Sequence, residues 1–238
     1  MSVFVLADPH LSMSADKPMG VFGQHWLDHD LRLHDRWQEI VRPADVVLLP
    51  GDISWAMYLE EALPDLRYLH ALNGQKYILR GNHDYWWSSL SKMESLCLEE
   101  GLHTLHFIRH EAFMVREDHL ICGTRGWLLP DDPEFTAADR KIYLREIERL
   151  RLSLESARKQ RLPGQTLTVC LHFPPLTRDL KGSAFTDLMK SYAVDTCVFG
   201  HIHRSGSPLA LHGEQIEGIS YWLTAADHLN FTPLLLYV

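Results

Sequence analysis

The 238-residue sequence lacks the features that mark membrane-bound, secreted and disordered chains. No apolar stretch approaches the roughly 20 residues that a membrane-spanning helix requires. There is no internal repeat, no low-complexity tract and no Gly/Ser linker. The segment before Asp8 reads MSVFVLA, which is too short for a signal peptide with a basic start. We therefore expect a cytoplasmic protein without a membrane anchor.

Closely paired cysteines are also absent. The four cysteines are widely spaced and form no CxxC pair: Cys97, Cys122, Cys170 and Cys197. Three of them lie inside apolar runs, where a buried reduced thiol is their ordinary role. This usage favours a reduced, cytoplasmic setting and excludes a cysteine-rich structural zinc site.

Basic residues are fewer than acidic ones, with 23 Lys and Arg against 31 Asp and Glu and a formal net charge of −8. This balance argues against a broad surface for nucleic acid or for an anionic membrane. A small anionic substrate is still compatible, because bound cations can reverse the local field of a cleft. The length and a hydrophobic content of 46% predict one domain, residues 1–238, with a substantial core.

Short apolar runs that stop abruptly at polar residues recur along the chain. They occupy residues 2–7, 45–50, 76–80, 166–171 and 195–199. Runs of this length predict buried strands. Helical patterns at 30–41, 59–72 and 88–100 each follow one of the first three runs. Later segments predict short antiparallel strands at 112–116, 119–122, 208–212, 220–225 and 233–238. We therefore expect an α/β fold with a mixed, two-sheet core and flanking helices.

A highly charged segment at residues 136–161 predicts one amphipathic helix. Thr136 is its candidate N-cap, and a Pro-Gly pair at 163–164 its stop. Its apolar residues recur three and four apart: Tyr143, Ile147, Leu150, Leu154 and Ala157. The pattern predicts a helix packed on the core with a solvated face. A lid over the active site is the alternative.

The polar residues that follow the predicted strands form a candidate metal site. Asp8 and His10, like His201 and His203, alternate along the chain and can converge on one side. Asp52 follows a glycine and can bridge two ions. The set is completed by Asn82 and His172. A mixed nitrogen and oxygen set without a thiolate suits manganese, iron or zinc.

The motifs that contain these residues, and their order along the chain, resemble those of the calcineurin-like metallophosphoesterase superfamily. They read Asp8-Pro9-His10, Gly51-Asp52, Gly81-Asn82-His83-Asp84, His172 and Gly200-His201-Ile202-His203. The resemblance implies a four-layer α/β/β/α sandwich with two mixed sheets and a binuclear metal centre. One ion would be held by Asp8, His10, Asp52 and His203, and the other by Asp52, Asn82, His172 and His201.

The resemblance also implies how the site works. Two divalent ions that share Asp52 would hold a bridging hydroxide, which attacks a phosphate ester. His83 would then be a general acid or hydrogen-bond donor beside the leaving oxygen rather than a ligand. Asp84 would either orient the His83 ring or satisfy loop amides.

Departures from other branches narrow the substrate class. Protein phosphatases carry G-D-x-x-D-R-G, whereas residues 51–57 read GDISWAM, so the phosphate-gripping arginine of that branch is missing. Residues 8–11 are instead similar to a branch of small bacterial phosphoesterases, many of which favour phosphodiesters. Arg125 is a candidate phosphate contact or the partner of an acidic neighbour. Trp55 either stacks on a substrate base or packs in the loop.

The sequence thus predicts a metal-dependent phosphoesterase acting on a phosphodiester or a small nucleotide-like ester. One alternative is a nuclease of the same superfamily, although the basic stripe that tracks a nucleic-acid backbone is lacking. Another is a metal-bound scaffold for protein interaction without turnover, although no ligand position is lost. The sequence carries no signal for an oligomeric state.

Overall fold

The computed structural model describes residues 1–203 and 206–238 and divides the chain into two compact units. Unit 1 comprises Met1–Phe107 and Thr224–Val238, and unit 2 comprises Ile108–Leu223. Unit 1 is therefore built from both ends of the chain. In the described part, no helix is both long and apolar enough to cross a membrane. The single-domain organisation stays a prediction.

Unit 1 contains a five-stranded mixed sheet. Its strands are β1 (Val3–Val5), β2 (Val46–Leu49), β3 (Gln75–Leu79), β4 (Leu105–Ile108, of which the last residue is the first of unit 2) and β11 (Leu234–Tyr237), in the order β11-β1-β2-β3-β4. β1, β2 and β3 are parallel, and β11 is antiparallel to β1. Every residue of β1 and β2 is buried, as continuous apolar runs predict. The parallel order brings the carboxyl ends of β1, β2 and β3 to one edge.

Three helices belong to unit 1: α1 (His29–Ile40), α2 (Leu63–Ala71) and α3 (Leu90–Glu99). Two short 3₁₀ turns, Met19–Phe22 and Gln24–Trp26, precede α1. α2 starts four residues later than the predicted start at residue 59, with Pro64 in its first turn, where a missing N–H is tolerated. Ser89 is the N-cap of α3, because its hydroxyl accepts a hydrogen bond from the Lys92 amide.

A fully buried lysine fastens the end of α2 to the sheet. The Lys76 ammonium, on β3, donates to the carbonyls of Leu72 and Gly74 and to the Thr104 hydroxyl, 3.1 Å away. Burial lowers the pKa of Lys76 to about 8, so the ammonium remains mostly protonated at neutral pH. The carbonyls that would otherwise lack a donor stabilise this charge.

We expect Lys76→Met to lower the free energy of unfolding by about 1–3 kcal/mol, because it leaves buried carbonyls without a donor. Urea unfolding followed by circular dichroism measures this loss. Lys92→Met is the matched control on the exposed face of α3 and should stay within about 0.5 kcal/mol of wild type. Equal midpoints for wild type and Lys76→Met would contradict the structural role.

The described residues of unit 2 form a six-stranded mixed sheet and two helices. Its strands are β5 (Phe113–Arg116), β6 (His119–Thr124), β7 (Thr166–Leu171), β8 (Thr196–Phe199), β9 (His212–Ile216) and β10 (Ile219–Leu223), in the order β5-β6-β7-β8-β10-β9. Its helices are α4 (Ala137–Gln160) and α5 (Ala184–Ser191). β6, β7, β8 and β10 run parallel, and β5 and β9 pair antiparallel at the edges.

The antiparallel pairing expected for β6 and β10 is found, with β5 and β9 respectively. Each of these two strands also pairs in parallel with a neighbour on its other side, which was not expected, because hydrophobic periodicity does not specify strand direction. The strand expected at 208–212 lies instead at His212–Ile216, where it forms a hairpin with β10 across Gly218, at φ 86°. α5 was not predicted, although Ser183 and Thr186 form a capping box at its start.

α4 packs along β6, with a buried face that differs from the predicted apolar stripe. Tyr143, Leu150, Leu154 and Ala157 are buried as expected, but Glu146 and Ser153 are buried with them and Ile147 is only half-buried. These polar residues bond to β6: Ser153 accepts from the Gly123 amide, and Glu146 from the Thr124 hydroxyl. The role of residues 136–161 as a lid stays a prediction.

The predicted fold class, an α/β protein with two mixed sheets and flanking helices, is confirmed. The four-layer order implied by the resemblance stays a prediction.

Candidate active site

In unit 1, the loops after β1 and β2 are held together by backbone hydrogen bonds. The Asp8 amide donates to the Gly51 carbonyl and the His10 amide to the Asp52 carbonyl, each at 3.0 Å. Asp8, His10 and Asp52 have φ angles of 57°, 46° and 52°, a left-handed conformation that non-glycine residues rarely adopt. Backbone strain of this kind is concentrated at functional sites, where the surrounding structure maintains it.

These three residues also bring their side chains together. Asp8 is fully buried, and Asp52 and His10 are exposed by only 2% and 4%. An oxygen of Asp8 lies within 4.8 Å of a ring nitrogen of His10, and one lies within 4.8 Å of an Asp52 oxygen. Nε2 of His10 is 3.8 Å from Oδ2 of Asp52. Two buried carboxylates repel each other, so a divalent cation held among them would offset a large cost.

Asp84 organises the loops around Asp52. Its carboxylate accepts from the amides of Asp52, Ile53, Ser54 and Gly81 at 2.7–3.2 Å, and from the Trp86 indole at 2.9 Å. Burial raises the pKa of Asp84, repulsion from Asp52 raises it further, and the amide hydrogen bonds lower it. Of the two roles considered for Asp84, these contacts favour satisfying loop amides.

Asp52 is fixed from a second direction by the loop after β3. The His83 amide donates to Oδ1 of Asp52 at 2.8 Å, which leaves Oδ2 directed towards His10. A Cβ at Gly81 would lie 2.0 Å from Oδ1 of Asp52, so only glycine fits there. Asn82 follows directly in this loop and is partly buried.

The rings of His10, Trp55 and His83 are in contact. Trp55 stacks on His10 with centroids 5.0 Å apart and an interplanar angle of 17°. The His83 ring lies 4.5 Å from Trp55 and 5.9 Å from His10. His83 is half-buried, so its ring combines solvent access with a position beside one candidate ligand, His10.

In unit 2, His172 and His201 follow β7 and β8. Their rings are 5.2 Å apart, and the Gly200 amide donates to the His172 carbonyl at 3.1 Å. His201 has a φ of 70°, the same left-handed conformation found at the candidate ligands of unit 1. The Phe173 ring packs 4.2 Å from His201. His203 follows His201 by two residues, as the predicted alternation requires.

Arg125 follows β6 and is fixed by a buried acid. Its guanidinium lies 3.6 Å from Oε1 of Glu146, which is fully buried, and stacks 4.3 Å above the Trp127 ring. Its carbonyl accepts from the His172 amide at 3.0 Å. The structure thus shows the acidic neighbour considered for Arg125, while contact with a phosphate stays a prediction.

Several residues around the candidate site were missed by sequence reasoning. His29, on α1, is buried with Nε2 3.3 Å from the His10 carbonyl, and Glu146 supports Arg125. Lys17 and Phe22 lie against Trp55. One sequence signal was available for Glu146. It lies three positions after Tyr143 and four before Leu150 on α4, which places this charged residue on the apolar face of the helix. Lys17 and Phe22 had none, because their loop has no periodicity.

Comparisons with known proteins agree with this geometry. The family model of the calcineurin-like phosphoesterases matches residues 1–205. No curated protein matches the chain. A solved protein of unknown function from Aquifex aeolicus is similar, with 14% identity, a TM-score of 0.51 and coverage of 98% of this chain and 94% of that one.

A second solved structure, the phosphopantetheinyl hydrolase PptH from Mycobacterium tuberculosis, has a TM-score of 0.55 at 16% identity. The match covers 94% of this chain and 88% of that one. At such low identities, both likenesses show a shared fold. The match of the family model over most of the sequence shows more: this chain belongs to the calcineurin-like phosphoesterase family and is a metal-dependent phosphoesterase.

Proposed function

We propose that the protein hydrolyses a phosphodiester or a small nucleotide-like phosphate ester with two divalent ions, manganese, iron or zinc. The observation that carries this proposal is the cluster of Asp8, His10 and Asp52, which are buried, strained and within ligand distance of one another. Strain and buried charge are costly, and metal binding is the function that this combination serves best.

We assign the ligands as the family pattern orders them. Asp8, His10, Asp52 and His203 would hold one ion. Asp52, Asn82, His172 and His201 would hold the other. When bound, the two ions would supply Lewis acidity, a shared water of lowered pKa and charge neutralisation at the phosphoryl oxygens. Support comes from the His83 amide, which fixes Oδ1 of Asp52, and from the position of Oδ2, 3.8 Å from Nε2 of His10.

The remaining residues receive roles from their contacts. His83 would donate a proton or hydrogen bond to the leaving oxygen, since its ring is partly accessible and lies beside His10. Asp84 acts as a positioning residue, because it binds the amides of the loop that carries Asp52. Arg125 would bind a phosphate oxygen, with its guanidinium oriented by Glu146 and Trp127.

The experiment that tests this proposal is a panel of esters assayed with purified protein and added Mn²⁺. Monoesters, diesters, cyclic nucleotides and short nucleic acids form the panel. We expect turnover of diesters that EDTA abolishes and that added Mn²⁺ restores. Metal content is measured on the same sample. Two ions per chain with no turnover of any ester would contradict the enzymatic role and leave the scaffold alternative.

A further inference from the structure

The loop between β1 and α1 places an aromatic and cationic cluster against Trp55. The Phe22 ring lies parallel to the Trp55 ring, with an interplanar angle of 4° and centroids 6.5 Å apart. The Lys17 ammonium is 4.3 Å from the centroid of Trp55 and 5.8 Å from that of Phe22. Within residues 1–203 and 206–238, no carboxylate pairs with Lys17. We call Lys17, Phe22 and Trp55 the aromatic cluster.

The aromatic cluster is continuous with the candidate catalytic histidine. The same Trp55 ring that contacts Phe22 lies 4.5 Å from the His83 ring, and Tyr85 meets His83 edge-on at 6.2 Å. Phe22 and Tyr85 are each 52% exposed. Flat aromatic surface is therefore open to solvent beside the side chain that we assign to the leaving oxygen.

The chemistry of the aromatic cluster favours one kind of ligand. Exposed aromatic rings offer faces on which nucleobases stack, whatever their sequence. An ammonium held over those rings attracts a negative group, and as a compact point charge it suits a phosphate oxygen. An alkyl chain would use the rings but gain nothing from the cation. A ligand with both a planar ring and a phosphate uses the whole cluster.

We propose that Lys17, Phe22 and Trp55 form a subsite for a nucleotide leaving group. The base would stack on the exposed Phe22 ring, which lies parallel to Trp55, and Lys17 would bind the phosphate of that nucleotide. This inference rests on the proposed function, because it assigns the leaving-group side of the same site. The substrate class that follows is a diester in which one of the two esterified groups is a nucleotide.

Isothermal titration calorimetry with Mn²⁺-loaded protein tests this subsite without requiring turnover. The ligands are AMP, inorganic phosphate and octyl phosphate. We expect AMP to bind about tenfold or more tightly than inorganic phosphate, as expected for one stacked base. Phe22→Ala and Lys17→Met should each lose most of this preference while their affinity for inorganic phosphate stays unchanged.

Val21→Ala is the matched control, since Val21 is a neighbouring side chain that is 72% exposed. It should bind AMP like wild type, and melting temperatures should show that all three variants fold. Equal affinities for AMP and phosphate, tighter binding of octyl phosphate, or a preference unaffected by both substitutions would overturn the subsite. If AMP is preferred but no ester in the panel is hydrolysed, the subsite stands and the proposed function fails.

Discussion

Replacing Asp52 with asparagine is expected to empty or disorder both metal positions of the proposed centre. Asparagine keeps the size of the side chain and an oxygen that can accept from the His83 amide, so the loop should fold. It removes the negative charge that two cations would share. Loss of a partner that merely supports a metal ligand costs about 10–100-fold in affinity, so loss of a shared ligand should cost at least as much.

Metal content after gel filtration, measured by inductively coupled plasma mass spectrometry, records the outcome of Asp52→Asn. Hydrolysis of a generic diester should fall in parallel. The control is Asp35→Asn, because Asp35 is an exposed carboxylate on α1. A variant that still carried two tightly bound ions would refute the assignment of Asp52 as the bridge.

Replacing His83 with alanine is expected to separate metal binding from turnover. The ring contacts Trp55 and His10 but is assigned no metal, so both ions should remain. Loss of a general acid typically reduces turnover by about 10²–10⁴-fold. The loss should be confined to esters with poor leaving groups, because a good leaving group departs without protonation.

The comparison of two diesters, one with an alkoxide and one with a nitrophenolate leaving group, provides the internal control for His83→Ala. His34→Ala is the matched surface variant, since His34 is an exposed histidine on α1. Wild-type turnover of the alkoxide ester by His83→Ala would show that the general-acid role is wrong.

The sequence predicts the strand ends of the candidate site because burial and chemistry coincide there. The apolar run before Asp8 must end where this carboxylate begins. The runs before Asp52 and His172 likewise end at a polar side chain. In the structure, β1, β2 and β7 end one to three residues before these positions. A buried strand thus positions a polar side chain at its carboxyl end. Both the apolar run and the polar residue that follows it can be recognised in the sequence.

Other features depend on contacts that periodicity does not encode. Parallel pairing of β10 with β8 is decided by the path of the chain, not by the residues of β10. Burial of Glu146 is offset by the Thr124 hydroxyl and by Arg149, at 2.6 Å each, and none of these partners is visible in the pattern of α4. The left-handed backbone of Asp8, His10 and Asp52 has only a weak sequence signal, since none of the three is glycine, although Asp and His adopt this conformation more often than other non-glycine residues.

The most direct test of the binuclear centre is anomalous diffraction from crystals grown with Mn²⁺. We expect two manganese peaks roughly 3.5–4 Å apart, both within bonding distance of the Asp52 carboxylate. Asp8, His10 and His203 should complete one shell, and Asn82, His172 and His201 the other. A single peak, or two peaks of which neither contacts Asp52, would contradict the account.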